Sequence, residues 1–193
     1  MREDESTGCV EQFFRNRRSV PVLTEPGPSR ADLERALACA QTAPDHARLN
    51  PWRFDVFAGE GRQLLAEAYV RGLRLAQPEQ DEAFFDRLAK MPFRAPVIIM
   101  AVCSHQSHPK VPPHEQMIAA ALATYQVQCV LSELGYGSIW RTGPVAESRE
   151  VARELGLADH ETIVGYLYVG TPAGEPPQRA VIDAIERTRF HGI

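Results

Sequence analysis

The order of helix-like and strand-like segments predicts a mixed α+β or three-layer α/β domain. Two observations carry this. Leu33, Ala36, Leu37 and Ala40 recur at helical spacing. Residues 52–57 alternate apolar and polar as a half-buried strand does, whereas residues 95–103 form one unbroken apolar run suited to a strand buried on both faces. The length, 193 residues, is enough for one domain with a sizeable core, so residues 1–193 are read as a single domain with 171–193 as a C-terminal extension.

In chain order, residues 6–16 form a first helix with Val10, Phe13 and Phe14 as its apolar face. Residues 17–28 are irregular, because Pro21, Pro26, Gly27 and Pro28 cannot continue a helix. Ser29 is a good N-cap with Asp32 three residues on, and the helix it opens is stopped by Pro44. Strand 52–57 is punctuated by Gly59 and Gly61. Helices around 62–75 and 79–91 follow, then strand 95–103 and a polar loop over 104–113.

The longest helix is expected over 114–134. Met117, Ile118, Ala121, Leu122, Tyr125, Cys129 and Leu131 make its apolar surface wider than one stripe, as in a helix buried in a core or a subunit interface. Gly135 and Gly137 end it. A strand near 138–142, a helix near 148–155 and a last strand over 162–169, rich in β-branched and aromatic residues, complete the order. The Pro-rich stretch 171–177 is a stiff linker to a short amphipathic helix near 179–187. That arm suits packing on a partner subunit, or a loose tail.

The net charge of −4 gives no strong basic field, so nucleic acid is not expected as a partner. The first residues hold no apolar signal core, and the apolar run 97–103 is far too short to cross a bilayer as a helix. A soluble, cytoplasmic protein with no membrane partner is expected. None of Cys9, Cys39, Cys103 and Cys129 forms a C-x-x-C or zinc spacing. The last three sit in apolar patterns and are expected as reduced core thiols, with Cys9 exposed.

Several short fragments carry chemistry-bearing residues. Arg17-Arg18-Ser19 offers paired guanidinium donors and a hydroxyl suited to a phosphate, or else a basic helix end complementing the helix dipole. Thr42 and His46 flank the turn Ala43-Pro44-Asp45, placed for ligand contact or for simple capping. Trp140-Arg141-Thr142-Gly143 offers a flat aromatic and a donor, or a core tryptophan beside a surface arginine. His105, His108 and His114 lie in one stretch near Glu115, but without the i,i+4 spacing of a zinc hydrolase helix. No dinucleotide fingerprint, P-loop or nucleophile elbow occurs.

Arg17-Arg18-Ser19, Ala43-Pro44-Asp45-His46, Asn50-Pro51-Trp52, Phe93-Arg94-Ala95-Pro96, Trp140-Arg141-Thr142-Gly143 and the run from Val164 to Pro172 together resemble the FMN-dependent nitroreductase family. The likeness is to its short bacterial NAD(P)H nitroreductase branch. The resemblance implies an α+β fold, a three-layer α/β/α arrangement with a central mixed sheet flanked by helices and a C-terminal arm toward the partner subunit. It implies a homodimer with FMN at the subunit interface, and NADH or NADPH as co-substrate.

By the same resemblance, Arg17 and Ser19 hold the flavin phosphate with Arg18 alongside. Thr42 and His46 approach from a neighbouring loop, and Trp140, Arg141, Thr142 and Gly143 line the ring and phosphate end. Ping-pong hydride transfer then reduces a small electron-poor acceptor such as a nitroaromatic or quinone, with no catalytic side chain required. Rival readings are a non-catalytic FMN-binding module, a same-fold flavoenzyme doing dehalogenation or flavin fragmentation, and a metal enzyme using the three histidines. The family pattern has glutamine where this chain has Asn50, and Pro144 lacks an N–H. A basic clamp from Arg179, Arg187 or Arg189 is left open.

Overall fold

The computed structural model describes residues 8–175 and 187–192. In order these form α1 (Cys9–Asn16), β1 (Leu23–Thr24), α2 (Arg30–Ala40), β2 (Trp52–Ala58), α3 (Gly61–Ala76), α4 (Glu82–Lys90), β3 (Val97–Ser104), α5 (Pro113–Glu133), β4 (Gly137–Arg141), α6 (Pro144–Glu147), α7 (Arg149–Glu154) and β5 (Glu161–Pro172). Short 3-10 turns cover His46–Arg48 and Met91–Arg94. The expected helix at 179–187, the residues before Gly8 and Arg179 lie wholly or mostly outside the described residues. Arg187 and Arg189 are exposed.

The sheet runs β1-β5-β3-β2, with β4 also on β5. A mixed sheet was the expectation; among the described residues every pairing is antiparallel. Helices cover both faces. Leu33, Ala36 and Ala40 of α2 join Ala120, Ala123, Val127 and Leu131 of α5 over Val97, Ile99, Leu167 and Val169. On the opposite face Tyr69 and Leu73 of α3, Phe85 of α4 and Val151 of α7 pack against Ile98, Met100, Tyr166 and Tyr168. Successive residues of β3 and β5 therefore feed two cores, which explains their unbroken apolar runs.

The register slips once. Ala101 faces Gly165 but Val102 faces Ile163, so Val164 is the extra residue of a bulge. The slip reverses the alternation, and Ile163 joins the same core as Tyr166 and Tyr168.

Local chemistry sets the helix ends. Ser29 Oγ accepts from Asp32 N at 3.1 Å, as the N-cap reading requires. Asp81 caps α4 by accepting from Phe84 N, so that helix starts later than expected. The expected helix at 148–155 is α7, opened by Ser148, whose side chain accepts from Val151 N; the short α6 before it, over Pro144–Glu147, was not expected.

Three expectations about burial need correction. Cys39 is exposed, because the buried stripe of α2 is Leu33, Ala36 and Ala40. Cys129 is only half-buried, while Cys103 is fully buried. The apolar face of α1 has no buried residue, and Val10 and Phe14 stand exposed. No helix among the described residues is long and apolar enough to cross a membrane.

Candidate functional site

Arg17 caps the end of α1, its N–H donating to Phe13 O at 2.8 Å before the chain turns extended. Its guanidinium lies 5.5 Å from the ring centroid of Tyr125 on α5. The Nε and Nη1 groups are shut off from solvent and have no acceptor among the described residues. Buried, unpartnered charged donors are costly, on the order of 1–3 kcal/mol or more each. Arg18 behaves differently. Its Nη1 donates to Arg15 O at 2.5 Å and Arg17 O at 3.0 Å, satisfying carbonyls at the helix end. Ser19 is exposed. Beside this group is a cleft of about 400 Å³ lined by Gln12, Asn16, Arg17, Ser132 and Glu133.

The next residue ties this segment to β4, Val20 N donating to Ser138 O at 2.9 Å. Gln128 of α5 donates to Ser138 Oγ at 3.1 Å within the core. Two residues along β4 is Trp140, whose indole faces the α2/α5 core. A Cβ on Gly165 would overlap the Trp140 ring, and Gly165 has φ +153°. The glycine in the bulged stretch of β5 thus makes room for the indole. Trp140 Nε1 is buried without an acceptor among the described residues.

Arg141 points to the other side of the sheet. Its guanidinium sits 5.5 Å from the Tyr168 ring centroid, and its Nε is buried without a partner among the described residues. Arg94 is near the same tyrosine: both arginines favour the ionised phenol, although burial dominates and pushes Tyr168 up. Thr142 is exposed and borders a cleft of about 250 Å³ with Arg87, Arg94 and Pro144. Gly143 has φ +89° and ψ −163°, a conformation essentially closed to side-chain-bearing residues. It opens α6, its carbonyl accepting from Ala146 N and Glu147 N.

The second loop has a clear capping component. Thr42 Oγ1 donates to Cys39 O at 2.8 Å, closing α2. His46 Nδ1 lies 2.8 Å from Glu115 Oε2 at the start of α5, with both side chains exposed. Ala47, Arg48 and Asn50 all have positive φ. Three non-glycine residues in that region cost free energy, and the loop is held there by Asn50 N donating to Asp45 Oδ2 at 2.6 Å and Gln106 Nε2 to Leu49 O at 2.7 Å. The side chain of Asn50 is used locally, donating to Arg48 O.

Within one chain the sequence-derived residues therefore fall into separate groups. Arg17, Arg18 and Ser19 reach the start of β4. Trp140 and Arg141 share β4 but occupy opposite faces. His46 sits by the first turn of α5 while Thr42 closes α2, and Glu115 is about 15 Å along the helix axis from Tyr125 at about 1.5 Å per residue. Among the described residues no three His, Cys, Asp or Glu side chains converge to hold a metal ion. His105 Nδ1 is instead 3.7 Å from Cys103 Sγ, and His108 Nδ1 accepts from Lys110 N. Sequence reasoning treated Tyr125 only as apolar pattern and Tyr168 only as part of the last strand and its family-like run; nothing local marks an aromatic as a seat for a distant arginine.

Comparison with known proteins agrees with this architecture. The Nitroreductase family model matches residues 14–171. Over 157 residues the chain is 39% identical to the Escherichia coli (strain K12) protein named "Putative NAD(P)H nitroreductase YdjA", covering 81% of this chain and 85% of that one. The solved structure of a nitroreductase-like family protein from Bacillus cereus superposes with TM-score 0.82 at 21% identity, over 98% of this chain and all (100%) of the other. The FMN and NADPH-dependent nitroreductase NfnB from sphigopyxis sp. strain HMH gives TM-score 0.72 at 22% identity, over 95% of this chain and 99% of that one. The chain belongs to the Nitroreductase family.

Proposed function

We propose that this chain is an NAD(P)H-dependent flavin oxidoreductase that holds FMN and reduces nitroaromatic, quinone or related electron-poor acceptors. The observation that carries the reading is Arg17. It has two buried guanidinium donors without an acceptor among the described residues, next to a polar cleft and the exposed Ser19. A dianionic phosphate supplies the missing acceptors and pairs with a group that never loses its charge. The names of the E. coli relative and of NfnB support the cofactor and the reductant.

Bound FMN would supply hydride transfer in two half-reactions, from NAD(P)H and then to the acceptor. The protein's part is to bind and orient. Arg17 and Ser19 hold the phosphate, while Arg18 fixes the helix end and adds positive field. Trp140 and the segment Thr142–Gly143 border the ring; Gly143 lacks a Cβ there, and the N–H groups of Thr142 and Gly143 are the donors available because Pro144 has none. Arg141 serves the same rim from the other face of β4.

His46 meets the Glu115 end of α5, about 15 Å along the helix from Tyr125 and Arg17, which supports supply of Thr42 and His46 by a second copy in a homodimer. Ile118 and Leu122 of α5, 57% and 39% exposed, give that dimer an apolar seam.

Purified protein is expected to be yellow, with a flavin spectrum that bleaches when NADH or NADPH is added without oxygen. Material that neither carries nor takes up FMN overturns the reading, and a flavin that no nicotinamide reduces leaves only a binding module.

A further inference from the structure

We propose that Tyr125 is the positioning residue for Arg17, seating the guanidinium that receives the flavin phosphate; this rests on the function proposed above. Two neighbouring arginines end α1, and they have different surroundings. Arg18 is held by two main-chain carbonyls. Among the described residues Arg17 has no hydrogen-bond or ion-pair partner for its side chain, yet it is half-buried, with Nε and Nη1 closed to water. What holds it is the face of Tyr125, 5.5 Å from the guanidinium carbon to the ring centroid. A guanidinium against an aromatic face keeps its charge and its donors free for a planar or bidentate acceptor, whereas a carboxylate partner would compete with the ligand.

The ring is itself fixed. Phe14, one turn before Arg17 on α1, stacks on Tyr125 at 6.3 Å with the rings 17° from parallel. On α5 the residues around Tyr125, Thr124 and Val127, are fully buried, which fixes the backbone that carries the ring. Phe14, Tyr125 and Arg17 thus form one aromatic-cationic stack between α1 and α5. The phenol hydroxyl is not needed for this task; the aromatic face is.

The test is FMN titration into flavin-free protein, followed by flavin fluorescence, with thermal melting of each flavin-free variant alongside. Tyr125→Met keeps much of the volume and removes the ring. It is expected to weaken FMN binding about five- to thirty-fold, the upper part of the range a cation–π contact covers, as suits a half-buried pair. Tyr125→Phe keeps the ring and is expected to stay within about twofold of the parent. Placed on Arg17→Ala, Tyr125→Met is expected to add no further loss, because the residue acts only through the arginine. Arg17→Gln, which keeps a hydrogen-bond donor but carries no charge to stack on the ring, replaces Arg17→Ala in that comparison if binding by the latter is too weak to measure.

Equal losses from Tyr125→Met with and without Arg17, a loss in Tyr125→Phe matching that in Tyr125→Met, or undiminished binding by Tyr125→Met each overturn the assignment. A parent protein that binds no FMN overturns the proposed function itself. A parent that binds FMN and weakens with Arg17→Ala, but shows no coupling to Tyr125, overturns this inference alone.

Discussion

The Trp140 indole fills the space that a side chain on Gly165 would need. Gly165→Ala is therefore expected to push the indole from its place and strain a backbone held at φ +153°. A loss of about 1–3 kcal/mol of stability is expected from overpacking and backbone strain. Thermal melting and a shift in tryptophan emission check this, and FMN retention is expected to fall with them.

Arg17→Ala is expected to weaken FMN binding by about 1.5–3 kcal/mol, roughly tenfold to a hundredfold or so, the value of a charge-assisted contact. Arg18→Ala is expected to matter less for FMN, since its guanidinium is already committed to Arg15 O and Arg17 O. Flavin content of the two purified variants, measured side by side, decides the point. Equal retention by both would remove the distinction between them.

The apolar seam of α5 predicts an effect on assembly. Burying each of Ile118 and Leu122 is worth about 1.5–3 kcal/mol. Replacing both with aspartate is expected to weaken self-association roughly a hundredfold or more. Sedimentation should show monomers, circular dichroism an unchanged helix content, and the spectrum little flavin. An unaltered particle size would place the interface elsewhere.

Glu161 sets an acid limit on stability. Arg53 donates to its two carboxylate oxygens at 2.6 and 2.9 Å, Ala158 N adds a third donor at 3.0 Å, and the carboxyl is held down from 4.5 to about 2. With the folded value below the unfolded one, the contribution is complete above about 4.5 and fades as pH falls toward 2. Because Arg53 is partly exposed, Glu161→Gln is expected to cost only about 1–2 kcal/mol near neutrality. Melting temperatures of parent and variant should converge as the solution is acidified; a constant gap would count against the pair.

The thiols are expected to separate by reactivity. Cys9 and Cys39 are exposed, Cys129 is half-buried, and burial pushes Cys103 up to about 11. A thiol reagent near neutral pH should modify Cys9 and Cys39 quickly and Cys129 slowly, and reach Cys103 only after unfolding. Peptide mapping after timed labelling reads the order directly.

Most elements were legible in the sequence because their signals are local. The Ser29 cap, the Pro44 stop and the apolar runs of β3 and β5 each act through residues close in the chain. Strand β1 was not legible. It has two residues, and it exists because Leu23 and Thr24 find Pro172 and Thr171 at the far end of β5. The exposure of Cys39 was missed because an apolar neighbourhood does not say which side of a helix is covered.

The site was legible as fragments but not as an arrangement. Arg17, Arg18 and Ser19 could be named, whereas the division of labour between the two arginines depends on Tyr125, more than a hundred positions later. The placement of Trp140 and Arg141 on opposite faces follows from strand alternation. Which core each face meets follows only from the assembled sheet.

Helix α5 acts as a ruler. It bears the Glu115 contact to His46 at one end and the Tyr125 contact to Arg17 three turns away. Adding or deleting one residue between these marks would rotate the two ends by about 100° relative to each other and change their separation by about 1.5 Å. The spacing between the two contacts should therefore tolerate substitution far better than a change of length.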